Sequence, residues 1–88
     1  MSHSKRLRVF VRQDRIAREM VRRNMSQNGL ARAMHVSPGY MSQLLRGARS
    51  PSPDLRERLQ QFLHMDDFDR LFRIESNDGS AEGFRSDV

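Results

Sequence analysis

The chain has 88 residues, of which 36% are hydrophobic, carries a formal net charge of +5 and contains no cysteine. This length allows one compact domain with short tails, and the lack of cysteine excludes disulfides and thiolate metal sites. The apolar runs are far shorter than the roughly 20 residues that cross a bilayer and no secretion signal is recognisable, so we expect a cytoplasmic protein that is not attached to a membrane.

The N-terminal residues 1–13 are predicted to form a basic arm. Its second half alternates two sets of residues, Leu7, Val9 and Val11 against Arg8, Phe10 and Arg12. A period of two with β-branched residues permits a short strand, although a small helical domain rarely needs one. The sequence therefore leaves open whether this arm forms a strand or an irregular segment.

The first helix is predicted to have Asp14 as its N-cap and to end near Asn24. Its apolar stripe comprises Ile16, Ala17, Met20 and Val21. The opposite face carries Arg15, Arg18, Arg22 and Arg23. This amphipathic pattern predicts a helix that packs on the core with its arginines in solvent.

Two shorter helices follow, joined by a tight turn. Ser26 is the predicted N-cap of the first, and the apolar pattern breaks at His35. It resumes with Ser37 as N-cap and Pro38 at the first helical position, where proline's missing N–H is no loss. Gly47 ends this second helix. The residues predicted to be buried are Leu30, Ala31 and Met34 in the first helix and Met41, Leu44 and Leu45 in the second.

A fourth helix is predicted from Ser52 or Pro53 onward. Its apolar positions are Leu55, Leu59, Phe62 and Leu63. Residues 65–72 are expected to add one or two further turns, or residues 72–75 extend and pair with residues 7–11. From residue 76 to residue 88 the chain is acidic, polar and without periodicity, so it is predicted to be a disordered tail.

These elements predict an all-α fold, a small bundle of four to five helices that contains a helix-turn-helix. The domain spans residues 14–75, with the strand pair between the two ends of the chain as an open alternative. Charge is uneven along this chain: residues 1–49 carry a net +9, whereas residues 50–88 carry −4. A basic half that holds the helix-turn-helix favours binding to a polyanion.

The sequence resembles the Cro and phage-repressor helix-turn-helix family (the XRE type), whose domain is lambda-repressor-like. The residues that carry the likeness are Met25-Ser26-Gln27, Leu30-Ala31, Val36-Ser37, Met41-Ser42 and Arg46-Gly47-Ala48-Arg49-Ser50-Pro51-Ser52. The match covers roughly residues 14–64 without a gap. Three features depart from the family pattern. His35 stands where the family usually has glycine, and Met20 and Leu45 replace a buried Arg–Glu pair. Pro38-Gly39 begins the recognition helix where the family has long polar side chains.

The resemblance implies a set of DNA contacts. The family's base-reading positions fall on Ser37, Pro38, Gly39 and Gln43, and Gln43 is the strongest of these because its amide can pair with adenine. Backbone phosphates are expected to meet Gln27, Tyr40, Arg46 and Arg49. For Ser37 helix capping is the competing interpretation, for Tyr40 a ring lying on the domain surface, and for Arg46 and Arg49 ordinary surface charge. The Pro38-Gly39 opening predicts a recognition helix with few base contacts.

The function predicted is a DNA-binding transcriptional regulator of the repressor type, located in the cytoplasm at the nucleoid, whose partner is double-stranded DNA. No nucleophile–base pair or phosphate-cradling glycine loop is present, so no enzyme activity and no cofactor are expected. His3, His35 and His64 lack the spacing of a metal site, and none is predicted. Two alternatives remain: an antitoxin, excisionase-like or architectural DNA-binding factor of a mobile element, and a protein-interaction module.

The segment after the fourth helix is the expected surface of a homodimer. Its apolar residues are Phe68, Leu71, Phe72 and Ile74. A two-fold dimer would read half-sites about 34 Å apart, which compensates for few base contacts per copy. In the competing interpretation these residues close the core of the monomer, as expected for so short a chain.

Overall fold

A computed structural model describes residues 7–76 of the chain. Within this range the elements follow the order β1 (Leu7–Val11), α1 (Gln13–Arg22), α2 (Gln27–Met34), α3 (Pro38–Leu45), α4 (Pro53–Phe62), α5 (Phe68–Leu71) and β2 (Phe72–Ser76). The prediction of a small helical domain is confirmed in its main part. The two ends of the described chain meet as strands, so the fold is a five-helix domain with a two-stranded sheet.

The sheet pairs β1 with β2 in antiparallel register, with Val9 opposite Ile74 and Val11 opposite Phe72. Of the two alternatives for the chain ends, the strand pair is therefore the one observed. Since side chains alternate between the faces of a strand, β1 turns Val11 into the core and Arg8 outward. Ser76 is the last residue of β2, and the remaining tail, residues 77–88, lies outside the described residues together with residues 1–6.

Serine caps begin three of the helices, as the sequence predicts. The Oγ of Ser26 accepts a hydrogen bond from the backbone N–H of Gly29 at 3.0 Å, which starts α2. Ser37 caps α3 through the N–H of Tyr40 at 3.1 Å, and Ser52 caps α4 at 3.2 Å. Each cap satisfies a donor that has no partner inside its helix.

The prediction for α1 is wrong in three respects. Its N-cap is Arg12 and not Asp14, which lies in the first turn, and the helix ends at Arg22. Ala17 and Val21 are exposed rather than buried. The reason is geometric: Ile16 and Met20 are four residues apart and face the core, whereas Ala17 and Val21 lie about 100° further round the helix.

The apolar core confirms the predicted inner faces of α2 and α3. Its buried members are Val11, Ile16, Leu30, Ala31, Met34, Met41, Leu44, Leu45, Leu55, Leu59, Leu63, Leu71 and Phe72. Met20 packs against this cluster, to which Leu45 belongs, so both side chains serve packing. Phe62, expected inside, is only half-buried. Leu71 and Phe72 have no exposed surface, and they close the core of the monomer.

Candidate nucleic-acid interface

The turn between α2 and α3 contains a residue with a left-handed backbone conformation. His35 has φ 61° and ψ 41°, in the left-handed region that few residues other than glycine adopt. The N–H of Val36 binds the carbonyl oxygen of Ala31 at 3.0 Å, and this six-to-one hydrogen bond closes the end of α2. Two residues, His35 and Val36, thus separate the end of α2 from the cap residue Ser37 of α3.

The packing of α3 on α2 is fixed by small and apolar side chains. Ala31 and Met41 are both about 1% exposed, and Val36 packs against the same cluster. A small residue at position 31 suits a close approach of two helices, because a larger one would separate them. The angle between the two helices is therefore set by the side chains that pack between them.

The side chains at the exposed beginning of α3 are short. Ser37, Pro38 and Gly39 at the beginning of α3 are exposed, and a Cβ built on Gly39 would contact nothing within 4 Å. Gln27, the first residue of α2, is exposed beside the N–H groups of the first turn of its helix. Ser37 uses its Oγ as a cap. The opening of α3 thus offers backbone and small groups to a ligand.

Further along α3, the predicted contact residues touch one another. The Nε of Arg49 donates a hydrogen bond to Oε1 of Gln43 at 2.8 Å. The Arg49 guanidinium also lies 5.6 Å from the centre of the Tyr40 ring. Tyr40 is half-buried against the core, so its ring lies on the domain surface and supports Arg49. Gln43, Tyr40 and Arg49 form one connected surface, which we call the α3 contact surface.

Arg46 stands at the end of α3 and is also exposed. It is the C-cap residue, and its Nε donates to the carbonyl oxygen of Ser42 at 3.4 Å. Gly47 follows with φ +80°, a conformation that ends the helix and in which other residues are strained. Arg46 and Arg49 therefore flank the glycine turn and extend the positive charge beyond the helix.

Arg8 lies beside the predicted DNA contacts in the structure, although the sequence does not identify it as one of them. Strand β1 packs against α3, and Arg8 lines an open groove together with Gln43, Ala48, Arg49 and Ser50. In the sequence, Arg8 and Phe10 alternate with Val9 and Val11. That pattern shows which side chains share a face, but not which helix the strand meets.

Several arginines of the basic chain hold the fold together instead. Arg23 binds Oε1 of Glu19 at 2.5 Å and the carbonyl oxygen of Leu63 at 2.9 Å, at the end of α4. Arg58 donates in the same way to the carbonyl oxygen of Met34, at the end of α2. A cation at a helix C-terminus binds carbonyl groups that the helix leaves unpaired. The charge available to a ligand is therefore smaller than the count of basic residues implies.

The part of the chain that the structure describes contains no group of three or more His, Cys, Asp or Glu residues able to hold a metal ion. His35 and His64 lie in that part, and His3 lies outside it. Among the helices within residues 7–76, none is both long enough and apolar enough to cross a membrane.

Comparison with known families agrees with this geometry. Residues 7–71 match the family model described as "Helix-turn-helix domain", which covers most of the chain and includes β1 and α5. No curated protein and no solved structure matches the chain significantly.

Proposed function

Since the chain belongs to the helix-turn-helix domain family, we propose that it is a DNA-binding transcriptional regulator of the repressor type, close to Cro and the phage repressors. In this proposal α3 lies in the major groove, and the protein works at the nucleoid in the cytoplasm. The observation that carries it is the hydrogen bond between Gln43, whose amide suits a base edge, and Arg49, whose guanidinium suits a phosphate.

The proposed role of each residue in binding bases or phosphates follows from its side chain. Gln43 contacts a base, and Ser37, Pro38 and Gly39 add close backbone and van der Waals contacts near the helix N-terminus. Gln27, Tyr40, Arg46 and Arg49 bind phosphates on either side. Because few long polar side chains reach the bases, one copy discriminates weakly between sequences, and most of its affinity comes from the backbone contacts.

We further propose that two copies bind together. A two-fold dimer doubles the number of base contacts and reads half-sites about 34 Å apart. Of the four apolar residues after α4, Phe68 and Ile74 keep exposed surface and are the ones that a second copy would contact. Leu71 and Phe72 are fully buried and support that surface from inside.

Selection of bound duplexes from a random DNA pool tests this proposal. A repressor of this kind enriches one motif arranged as an inverted repeat with its halves one helical turn apart. Enrichment of bent or A/T-rich DNA without a motif would contradict the repressor and favour an architectural factor. If no duplex is retained at low salt, the protein does not act through DNA, and a protein-interaction module replaces the proposal.

A further inference from the structure

The outer face of the sheet carries two arginines on one aromatic ring. Phe10 lies opposite Arg73 in the strand register, and Arg8 is two residues before Phe10 on the same face. The guanidinium carbons of Arg8 and Arg73 each lie 5.1 Å from the centre of the Phe10 ring. We call these three residues the arginine–phenylalanine cluster.

The position of Phe10 is unusual for a buried aromatic residue. Its side chain is only 8% exposed, yet it does not belong to the apolar core cluster. It lies on the face of β1 that points away from the core, where the stems of long side chains can cover a ring. The ring in turn gives the guanidinium groups a platform, because arginine stacks well on aromatic faces.

The two arginines of the cluster differ in their partners. Arg73 forms an ion pair with Glu75, which stands opposite Arg8 in the strand register. Within residues 7–76, Arg8 pairs with no carboxylate, and its side chain is exposed. Arg8 therefore presents its guanidinium group to solvent without an ion-pair partner among the described residues, against the Phe10 ring.

This charge lies beside the α3 contact surface. Arg8 lines the same groove as Gln43 and Arg49, and Arg73 approaches the glycine turn at Gly47. A phosphate that Arg49 contacts has a neighbour along the same strand of a duplex, about one nucleotide away. A second guanidinium group that lines the same groove as Arg49 is suited to that neighbouring phosphate.

We propose that Arg8 is a further DNA-phosphate contact, positioned by Phe10 and the β1–β2 pair at the edge of the recognition helix. The contact rests on the proposed function and extends the interface from the helix-turn-helix to the sheet. A guanidinium that is already held on a ring loses less side-chain freedom on binding than one on a flexible arm. Arg8 carries affinity and no sequence preference, since phosphates are the same at every base pair.

The test compares the full chain with its Arg8→Gln variant, which keeps much of the stem and removes the charge. Binding is measured on a selected duplex and on a random one over a series of salt concentrations. We expect affinity for both duplexes to fall about five- to tenfold, and the slope of log K against log salt to shrink by about one unit. Arg70→Gln, an exposed arginine of α5 outside the groove, is the matched control and should leave the slope unchanged.

A second variant tests whether Phe10 affects DNA affinity through Arg8. Phe10→Leu removes the ring but keeps apolar volume, so we expect a loss of about two- to threefold in affinity that disappears when Arg8 is already Gln. Thermal melting of Phe10→Leu checks that the domain remains folded at the binding temperature. An equal loss in both backgrounds would contradict the positioning role of the ring.

The outcomes separate this inference from the function on which it rests. If Arg8→Gln keeps the salt slope of the wild type while Arg49→Ala lowers it, the Arg8 contact is wrong and the proposed function stands. If the wild type retains no duplex at low salt, both are wrong.

Discussion

Arg49 donates a hydrogen bond to Oε1 of Gln43 at 2.8 Å, which joins the side chain assigned to bases to the one assigned to phosphates. The bond orients the Gln43 amide, so that its N–H₂ group is turned away from Arg49. An amide oxygen has two lone pairs, and Oε1 can accept from Arg49 and from the N6 amino group of adenine together. In the proposed complex, the amide N–H₂ then donates to adenine N7, and Arg49 prepares Gln43 for this bidentate pairing.

Substitution of Arg49 separates its charge from its orienting role. We expect Arg49→Ala to weaken binding to every duplex and to reduce the salt slope by about one unit. Preference for the selected site should also fall, because Gln43 loses its partner. Arg49→Lys keeps the charge but not the planar guanidinium, so it should restore the slope and not the preference. Fluorescence titrations over a salt series measure both. A wild-type slope in Arg49→Ala would mean that Arg49 touches no phosphate.

The turn residue His35 offers a test of backbone strain. Its side chain is exposed and its φ is +61°, so substitution changes the turn with little effect on packing. His35→Gly should leave the free energy of unfolding unchanged or raise it by up to about 1 kcal/mol, since glycine adopts this conformation freely. His35→Val should lower it by about 1–2 kcal/mol. Urea denaturation distinguishes the two, and equal stability of both variants would contradict a strained turn.

The sequence predicts the helical pattern well because its signals are local. The caps Ser26, Ser37 and Ser52 each bind an N–H three residues away, so that spacing along the chain is enough to identify them. The prediction of Asp14 as the N-cap of α1 is wrong because an acidic residue is also favourable inside the first turn of a helix. A pattern of this kind does not tell a cap from a residue two positions further on.

Other features escape the sequence because they join residues far apart along the chain. Arg58 binds a carbonyl oxygen 24 residues earlier, and nothing in the charge pattern separates it from a solvent-exposed arginine. Arg8 acquires its place beside Gln43 only when β1 packs on α3. The contact between Gln43 and Arg49 spans six residues across a glycine turn, whose geometry a motif does not specify.

Arg58 should contribute to stability and not to DNA recognition. It donates to the carbonyl oxygen of Met34 and pairs with Asp54 at 3.1 Å. We expect Arg58→Met to lower the free energy of unfolding by about 1–2 kcal/mol, because the end of α2 loses a charged donor. Asp54 is 76% exposed, so Asp54→Asn should cost less than about 1 kcal/mol. Equal losses in chemical denaturation would mean that the ion pair, and not the carbonyl contact, is what stabilises the domain.

Phe72 distinguishes the monomer core from the dimer surface. It is fully buried, and its ring centre lies 4.9 Å from that of Phe68, which is half-buried. Phe72→Ala should lower the free energy of unfolding by about 3–5 kcal/mol, and Phe68→Ala by about half of that. Calorimetry at several protein concentrations measures the loss. A Phe72→Ala variant that merely dissociates dimers and keeps the stability of the monomer would contradict the core assignment.

The central claim is that Gln43 of α3 reads a base in the major groove, and replacing single adenines of the selected site with 7-deazaadenine tests it most directly. This analogue lacks the N7 acceptor and leaves the Watson–Crick edge intact. At the adenine that Gln43 contacts, we expect wild-type affinity to fall about five- to tenfold, because the analogue removes one of the two hydrogen bonds of the pair. Gln43→Ala, which removes both hydrogen bonds, should lose at least as much affinity on normal DNA and nothing further on the analogue, whereas Gln61→Ala on α4 should behave as the wild type. If no adenine position is sensitive, or if Gln43→Ala remains as sensitive as the wild type, the claim is wrong.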